Sequence, residues 1–250
     1  MRISKAGREI RSIEEWFDYA PPKMGARHWK DGRSAKELAR SWLRDEHPSP
    51  PQELRELLER TFGAGVAFLE AKPECVIRLD DLPGEHRNCD LVVLCKAQDG
   101  DIVINVEAKA DEPFGDTIGA YYDLTLNSRS NVPARIRQLS WAVFGREPDE
   151  AIRKLRYQLL HAAAATLIEA AASGAQLGLF LIHEFWSQLL NEKRLAQNRT
   201  DWENFVHAFP ELTDARFERN KIFGPVSIAG GGHVPHSLPL YLGKLVTEVE

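Results

Sequence analysis

"CDLVVLCKAQDGDIVINVEAKADEPFGD" (residues 89–116) holds two apolar runs joined across Asp99-Gly100. Asp-Gly between runs rich in Val, Leu and Ile is a strong β-hairpin signal. Strand side chains alternate faces, so Ile102, Ile104, Val106 and Ala108 share one side, and Val103, Asn105, Glu107 and Lys109 the other. The first side is apolar throughout, as a core face should be. The second begins apolar and ends in opposite charges, which packing alone gives a strand little reason to carry.

With Asp99 and Gly100 as the central turn residues, Gln98 faces Asp101. Counting outward sets Val92 opposite Glu107 and Asp90 opposite Lys109. Asp90, Glu107 and Lys109 then cluster on one face, far from the turn, with Asp90 and Glu107 on a diagonal of about 7–8 Å. Two carboxylates converging in a half-buried place repel by about 3 kcal/mol at ~5 Å and an effective dielectric near 20. Lys109 is one compensator, and a divalent cation held by oxygen ligands is another. Mg²⁺ takes one or two protein carboxylates and fills its octahedron with water and substrate phosphate. The arrangement suits phosphodiester hydrolysis, in which a metal lowers the pKa of bound water and an ammonium orients the nucleophile.

The rest of the chain frames this hairpin. At 250 residues it is long enough for one large domain with a sizeable core, and its net charge of −5 argues against an all-over basic coat for nucleic acid. Cys75, Cys89 and Cys95 form no CxxC pair, which fits a reducing compartment rather than a disulfide framework or zinc ribbon. "MRISKAGREIRSIEEW" (1–16) has no apolar core of a secretory signal, and "LLHAAAATLIEAAASGAQLGLFLI" (159–182) is interrupted by polar residues. A cytoplasmic protein with no membrane contact is expected.

"SAKELARSWLRDE" (34–46) and "PQELRELLERTFG" (51–63) read as helices, the second with Pro51 early and Gly63 as its C-cap. "CVIRLD" (75–80) has strand character, and residues 111–148 read as a long, partly irregular connection. Acids at the start of "DEAIRKLRYQLLHAAAATLIEAAAS" (149–173) favour one long helix. "QLGLFLIHEF" (176–185) is a buried strand, "DWENFVHAF" (201–209) a short helix, and residues 221–249 two short strands around a Gly-rich loop. The order indicates an α/β fold with a mixed central sheet flanked by helices.

Asp90, followed after a hairpin by Glu107-Ala108-Lys109, resembles the PD-(D/E)xK, restriction-endonuclease-like, phosphodiesterase superfamily. There the acid and the ExK lie on adjacent strands of an αβββαβ core, an adjacency the register above gives independently. The resemblance covers roughly residues 34–185 of a single domain over 1–250, with a C-terminal extension from about 190. The strings "APPKMGARHWKDGRSAKELA" (20–39) and "EAKADEPFG" (107–115) also look like an uncharacterised bacterial family assigned to this fold. The resemblance implies a nuclease for DNA or RNA, with Mg²⁺ or Mn²⁺ held by Asp90, Glu107 and the Ala108 carbonyl, and a catalytic Lys109. It also leaves room for a homodimer. The first motif reads Asn88-Cys89-Asp90, without the Pro of the superfamily's name.

Other candidates carry two readings each. Glu37 is either a further site acid or the N3 member of a capping box begun by Ser34. Gln158 on the long helix either points at the site, as in related nucleases, or is a polar flank; His161 shares its face. Glu112, three residues beyond Lys109, is either a further site acid or, just before Pro113, a loop residue. Arg129, Arg135, Arg137, Arg146, Arg153, Lys154 and Arg156, with Tyr121, Tyr122 and Trp141, form either a phosphate-contacting wall or solvated helix faces. "AGGGHVPH" (229–236) reads as a mobile loop, and His183-Glu184 as structural. The competing account of Asp90, Glu107 and Lys109 is a salt-bridged cluster at a sheet edge, in a catalytically silent binding or assembly module, with a toxin or defence system as one setting.

Overall fold

The computed structural model describes residues 1–44 and 47–249. A short ribbon, β1 (Arg2–Lys5) and β2 (Arg8–Glu9), precedes helix α1 (Ile13–Tyr19) and a 3₁₀ turn at Gly25–Arg27. Helices α2 (Ser34–Trp42) and α3 (Gln52–Phe62) lead into three long antiparallel strands, β3 (Ala67–Ile77), β4 (Arg87–Ala97) and β5 (Gly100–Lys109). Four helices follow: α4 (Ile118–Leu126), α5 (Val132–Phe144), α6 (Glu150–Arg153) and α7 (Tyr157–Ala172). The chain closes with β6 (Leu177–Trp186), α8 (Glu192–His207), β7 (Lys221–Val226) and β8 (Leu240–Glu248).

All eight strands form one mixed sheet in the order β2-β1-β3-β4-β5-β6-β8-β7. The β5/β6 and β6/β8 pairs are parallel, so the charged end of β5 opens at the carboxyl edge of a parallel segment. Clefts of open α/β sheets form at such edges. One face packs α1 to α3 over Leu91, Val93, Ile104 and Val106; the other packs α5, α7 and α8 over Val92, Val103, Phe180 and Ile182. The run Ala162 to Ala165 is wholly buried, and these short side chains let α7 approach the sheet until Asn105 Nδ2 donates to the Ala162 carbonyl at 3.1 Å. Among the described residues no helix is long and apolar enough to cross a membrane.

Several expectations need correction. The hairpin turns one residue early: Ala97 pairs with Gly100, and Lys96, not Gln98, faces Asp101. Gly100 uses its positive φ of 133° on the first strand residue, where Asp101 N–H is held by Gln176 Oε1 at 2.6 Å. The pairing therefore slides by two residues, which preserves faces because alternation has period two. Asp90 comes level with Glu107 rather than Lys109.

The predicted helix over 149–173 is broken at Lys154–Arg156. The Leu155 carbonyl accepts from Ile118 N–H, and Arg156 bridges to Thr117 in extended conformation, so this backbone serves the entry to α4. The connection at 111–148 is mostly helical, as α4 and α5; α8 begins nine residues before the predicted 201. The predicted first helix ends at Trp42, and its last two residues, Asp45 and Glu46, lie outside the described residues. The Gly-rich loop is not free-standing. Gly230 N–H bonds the Ala142 carbonyl of α5 at 2.8 Å, and His233 reaches Asp81.

Candidate active site

Regular alternation would point Arg87 and Cys89 away from Val92. Yet Cys89 and Val92 both pack into the α7-side core, while Leu91 and Val93 pack on the other side. The same inversion runs through β3, where Ala71 and Ile77, six residues apart, sit in opposite cores. Between them lies Glu74, in a left-handed conformation (φ 51°) that non-glycine residues seldom adopt. Pro73 pairs with Leu91 and Cys75 with Cys89, so Glu74 is level with Asp90. The irregularity does two things. It turns Arg87 onto the face of Glu107, and it places Glu74, Asp90 and Glu107 at one level on three adjacent strands.

Glu107 is 1% exposed and both its carboxylate oxygens are bonded. Oε2 accepts from Arg87; Oε1 accepts from Lys109 Nζ and from Gln158 Nε2 of α7, each at 2.6 Å. Lys109 is also buried and lies 5.2 Å from the centre of the Phe114 ring. Asp90 receives only the Ala108 N–H, at 2.8 Å on Oδ2, and no donor among the described residues reaches Oδ1. Glu74 is held by the neutral amide of Asn88.

The electrostatics follow from those partners. Burial, reinforced by the Glu107 charge, pushes Asp90 up to about 7. Burial likewise raises Glu74 to about 7, against the Asn88 hydrogen bond. For Glu107 burial acts the same way, but Arg87 and Lys109 outweigh it and hold the carboxyl below its usual range. Burial and then the Arg87 and Lys109 charges drive His161 well below the usual imidazole range, so it is neutral. Its Nδ1 is buried without a partner.

These groups floor a cleft of about 1070 Å³. One wall is the segment before α2, with Arg27, His28 and Lys30 exposed and Trp29 packed on Phe17. The opposite wall comes from the starts of α5 and α7.

Of the residues singled out from sequence, Asp90, Glu107, Ala108, Lys109, Gln158 and His161 all line this cleft. Glu37 does not. Helix α2 is capped by Arg33, one residue before the expected Ser34, and Glu37 turns back to accept from Gly32 N–H at 2.8 Å and Arg40 at 2.9 Å. Neither expected role survives: Ser34 is tied instead to Glu112, which lines the cleft and also takes the Ala110 N–H.

Most of the predicted basic wall is dispersed into ion pairs, while Arg137 donates to the Tyr122 hydroxyl at 2.8 Å. Arg153 binds Asp123, Lys154 Glu150, Arg156 Asp201 and Arg146 Asp149. Arg135 reaches the cleft, but buried on Asp80. The basic wall comes instead from Arg27, His28 and Lys30, in the segment before α2 that the sequence reading left as an irregular opening, whose Lys23 and Arg33 are themselves paired with Glu85 and Asp111. Glu74 and Arg87 were also missed. Their signals were slight: an acid directly after Pro73 in a strand that also carries Glu70 and Lys72, and a base three residues before Asp90.

The sequence matches a domain of unknown function, DUF6946, over residues 9–249. The chain belongs to that family. No curated protein and no solved structure matches it.

The donor set decides which cation could sit here. Among the described residues no group of three or more His, Cys, Asp or Glu side chains is arranged to hold an ion, as a closed structural zinc site would require. Mg²⁺ and Mn²⁺ need less: one or two carboxylates, with water and substrate completing the shell. Asp90, raised to about 7 and with Oδ1 free in a cleft, is a carboxylate short of a cation. It fits such an ion, with Glu107 beside it.

Proposed function

We propose that the cleft is the active site of a divalent-metal-dependent phosphodiesterase acting on nucleic acid, DNA or RNA. The succession α2-α3, β3, β4, β5, α7, β6 supports placing the chain on the restriction-endonuclease-like αβββαβ fold, with β1, β2, β7 and β8 as sheet extensions. Three free thiols fit a cytoplasmic setting. The observation that carries the reading is the under-compensated Asp90 beside Glu107 and Lys109, at the floor of a cleft with a basic wall.

Asp90 and Glu107, with the Ala108 carbonyl, would hold Mg²⁺ or Mn²⁺. When bound, the ion supplies an acidified water and charge neutralisation at the phosphate. The chain's own groups do the rest. Lys109 offers ammonium protons to the attacking oxygen or to the phosphate, with the Phe114 ring beside its ammonium. Gln158 fixes Glu107 from the helix side. Arg27, His28 and Lys30 meet the backbone of the nucleic acid, with Trp29 as a flat apolar neighbour.

One observation favours a second reading, a silent binding module: both Glu107 oxygens are already neutralised from within. The test is a screen of single- and double-stranded DNA and RNA with Mn²⁺, using wild type and Lys109→Ala. Cleavage lost at least a hundredfold in the variant is the expected result. A variant that cuts as fast as wild type would sink the role of Lys109, and wild type that binds but never cuts would favour the module.

A further inference from the structure

Arg87 has no place in the sequence motif, yet it is bonded to the central carboxylate of the site. It is the first residue of β4, 8% exposed, and its guanidinium binds Glu107 Oε2. Its Nε is buried and bonded to nothing. A guanidinium settled for structural reasons fills its fork with acceptors, because a stranded buried donor is costly. Arg87 leaves Asp90 Oδ1 without a donor although both line the same cleft. It neutralises one oxygen of the carboxylate that a divalent ion would need.

We infer that Arg87 is a tethered competitor cation: it occupies Glu107 until a divalent ion takes that carboxylate, and it then turns into the cleft. Three features support this. Lys109 and Gln158 share the other oxygen, so Glu107 keeps its orientation when Arg87 leaves. The Arg87 side chain lies on the cleft lining, next to the space into which it would turn. The strand inversion at Glu74 and Asp90 brings an odd-numbered β4 residue to this face, and a regular strand would have kept it away. Arg87 is thus a positioning residue for loading of the site. Its charge, displaced, faces the region where a phosphate would lie.

The inference rests on the metal reading above, and one set of titrations separates the two. Mn²⁺ binding is measured by electron paramagnetic resonance and by thermal shift on wild type, Asp90→Asn, Arg87→Gln and Arg87→Lys. Arg87→Gln should bind Mn²⁺ at least about tenfold more tightly than wild type, or ~1.4 kcal/mol, and gain the larger thermal shift. Arg87→Lys, which keeps the charge, should stay near wild type. Asp90→Asn should lose binding. If Asp90→Asn binds as wild type does, the metal reading fails and Arg87's role falls with it. If Asp90→Asn loses Mn²⁺ but Arg87→Gln binds no tighter than wild type, only the Arg87 inference is overturned. The wild type supplies a further test that needs no Arg87→Gln protein. The arginine Nε–H resonance absent from Arg87→Lys should shift and exchange faster at saturating Mg²⁺; an unmoved resonance would also overturn the inference.

Discussion

Replacing Arg135 by Met separates scaffold from substrate contact in the cleft wall. Arg135 Nε and a terminal nitrogen grip the two Asp80 oxygens at 2.5 and 3.0 Å, and its other terminal nitrogen donates to the Glu85 carbonyl at 2.9 Å. Both side chains are nearly inaccessible, at 6% and 1% exposure. The pair ties the β3–β4 connection to α5. Arg135→Met leaves the Asp80 carboxylate buried with the Leu82 N–H alone. Breaking a buried pair from one side costs about 3–5 kcal/mol. At about 2–4 °C per kcal/mol for a chain of this size, the melting temperature should fall by roughly 6–20 °C. Urea unfolding gives the free energy directly. Adding Asp80→Leu should return much of the loss, because the stranded charge is then gone. The sign with pH is fixed too. Burial raises Asp80, but the Arg135 and Leu82 bonds outweigh it and hold its pKa below the usual carboxylate range. Its stabilisation is therefore complete at neutrality and lost as pH falls through that lowered value. A loss under about 1 kcal/mol, with nucleic-acid affinity falling instead, would refute the structural role and restore Arg135 to the phosphate wall.

Two further predictions concern buried titratable groups. Asp90→Asn keeps an acceptor for the Ala108 N–H and removes a carboxyl raised to about 7, so the metal-free variant should be more stable than wild type at pH 8. The difference should shrink as pH falls towards 4, where both folded and unfolded Asp90 bind the proton; urea curves in chelator at the two pH values measure it, and a variant less stable at pH 8 refutes it. His183, buried on Phe185 with Nε2 against Thr247 Oγ1, is held neutral by burial, with a pKa down at about 3. The unfolded chain binds its proton below about 6.5, so stability should drop as pH falls from 6.5 towards 3, by several kcal/mol at about 1.4 per unit. His183→Gln should flatten that limb in thermal melts from pH 7 to 4; an unchanged slope would show that His183 is protonated in the fold.

Much of the fold was legible because its central elements obey simple periods. The hairpin runs, the Ala-rich face of α7 and the apolar β6 each carry the pattern of their surroundings. The turn residue was misplaced by one, yet the faces were right, since the resulting slip of two leaves alternation intact. The helices α4 and α5 were illegible for the opposite reason: Leu124, Leu126 and Trp141 stay exposed on them, blurring the apolar stripe that a helix reading needs. Gln158, for which the sequence left site and helix flank open, lines the cleft because it lies one turn before the Ala run that docks α7 on β5. Arg87 and Glu74 could not be placed, because a period-two reading assigns Arg87 to the opposite face and has no means of seeing a left-handed residue at Glu74. Glu37 misled because a displaced helix start moved it one position along the first turn.

That strand irregularity also bears on how the site would discriminate among charged ligands. With every carboxyl ionised, Glu74, Asp90 and Glu107 carry one more negative charge than Arg87 and Lys109 can balance, and His161 adds none. Above about pH 7, where Asp90 and Glu74 are both ionised, a phosphodiester approaching the bare floor would meet repulsion, at distances where a unit charge pair is worth about 4 kcal/mol at an effective dielectric of 20. On the proposed reading one divalent ion reverses the sign of the floor. Had β3 and β4 alternated regularly, Arg87 would lie on the other face and the bare floor would be more negative by one charge. An ion would then bind more tightly, but the loaded site would be left neutral to its anionic substrate. On that reading, bringing Arg87 across would trade metal affinity for substrate attraction, a reason for the inversion at Glu74 beyond packing.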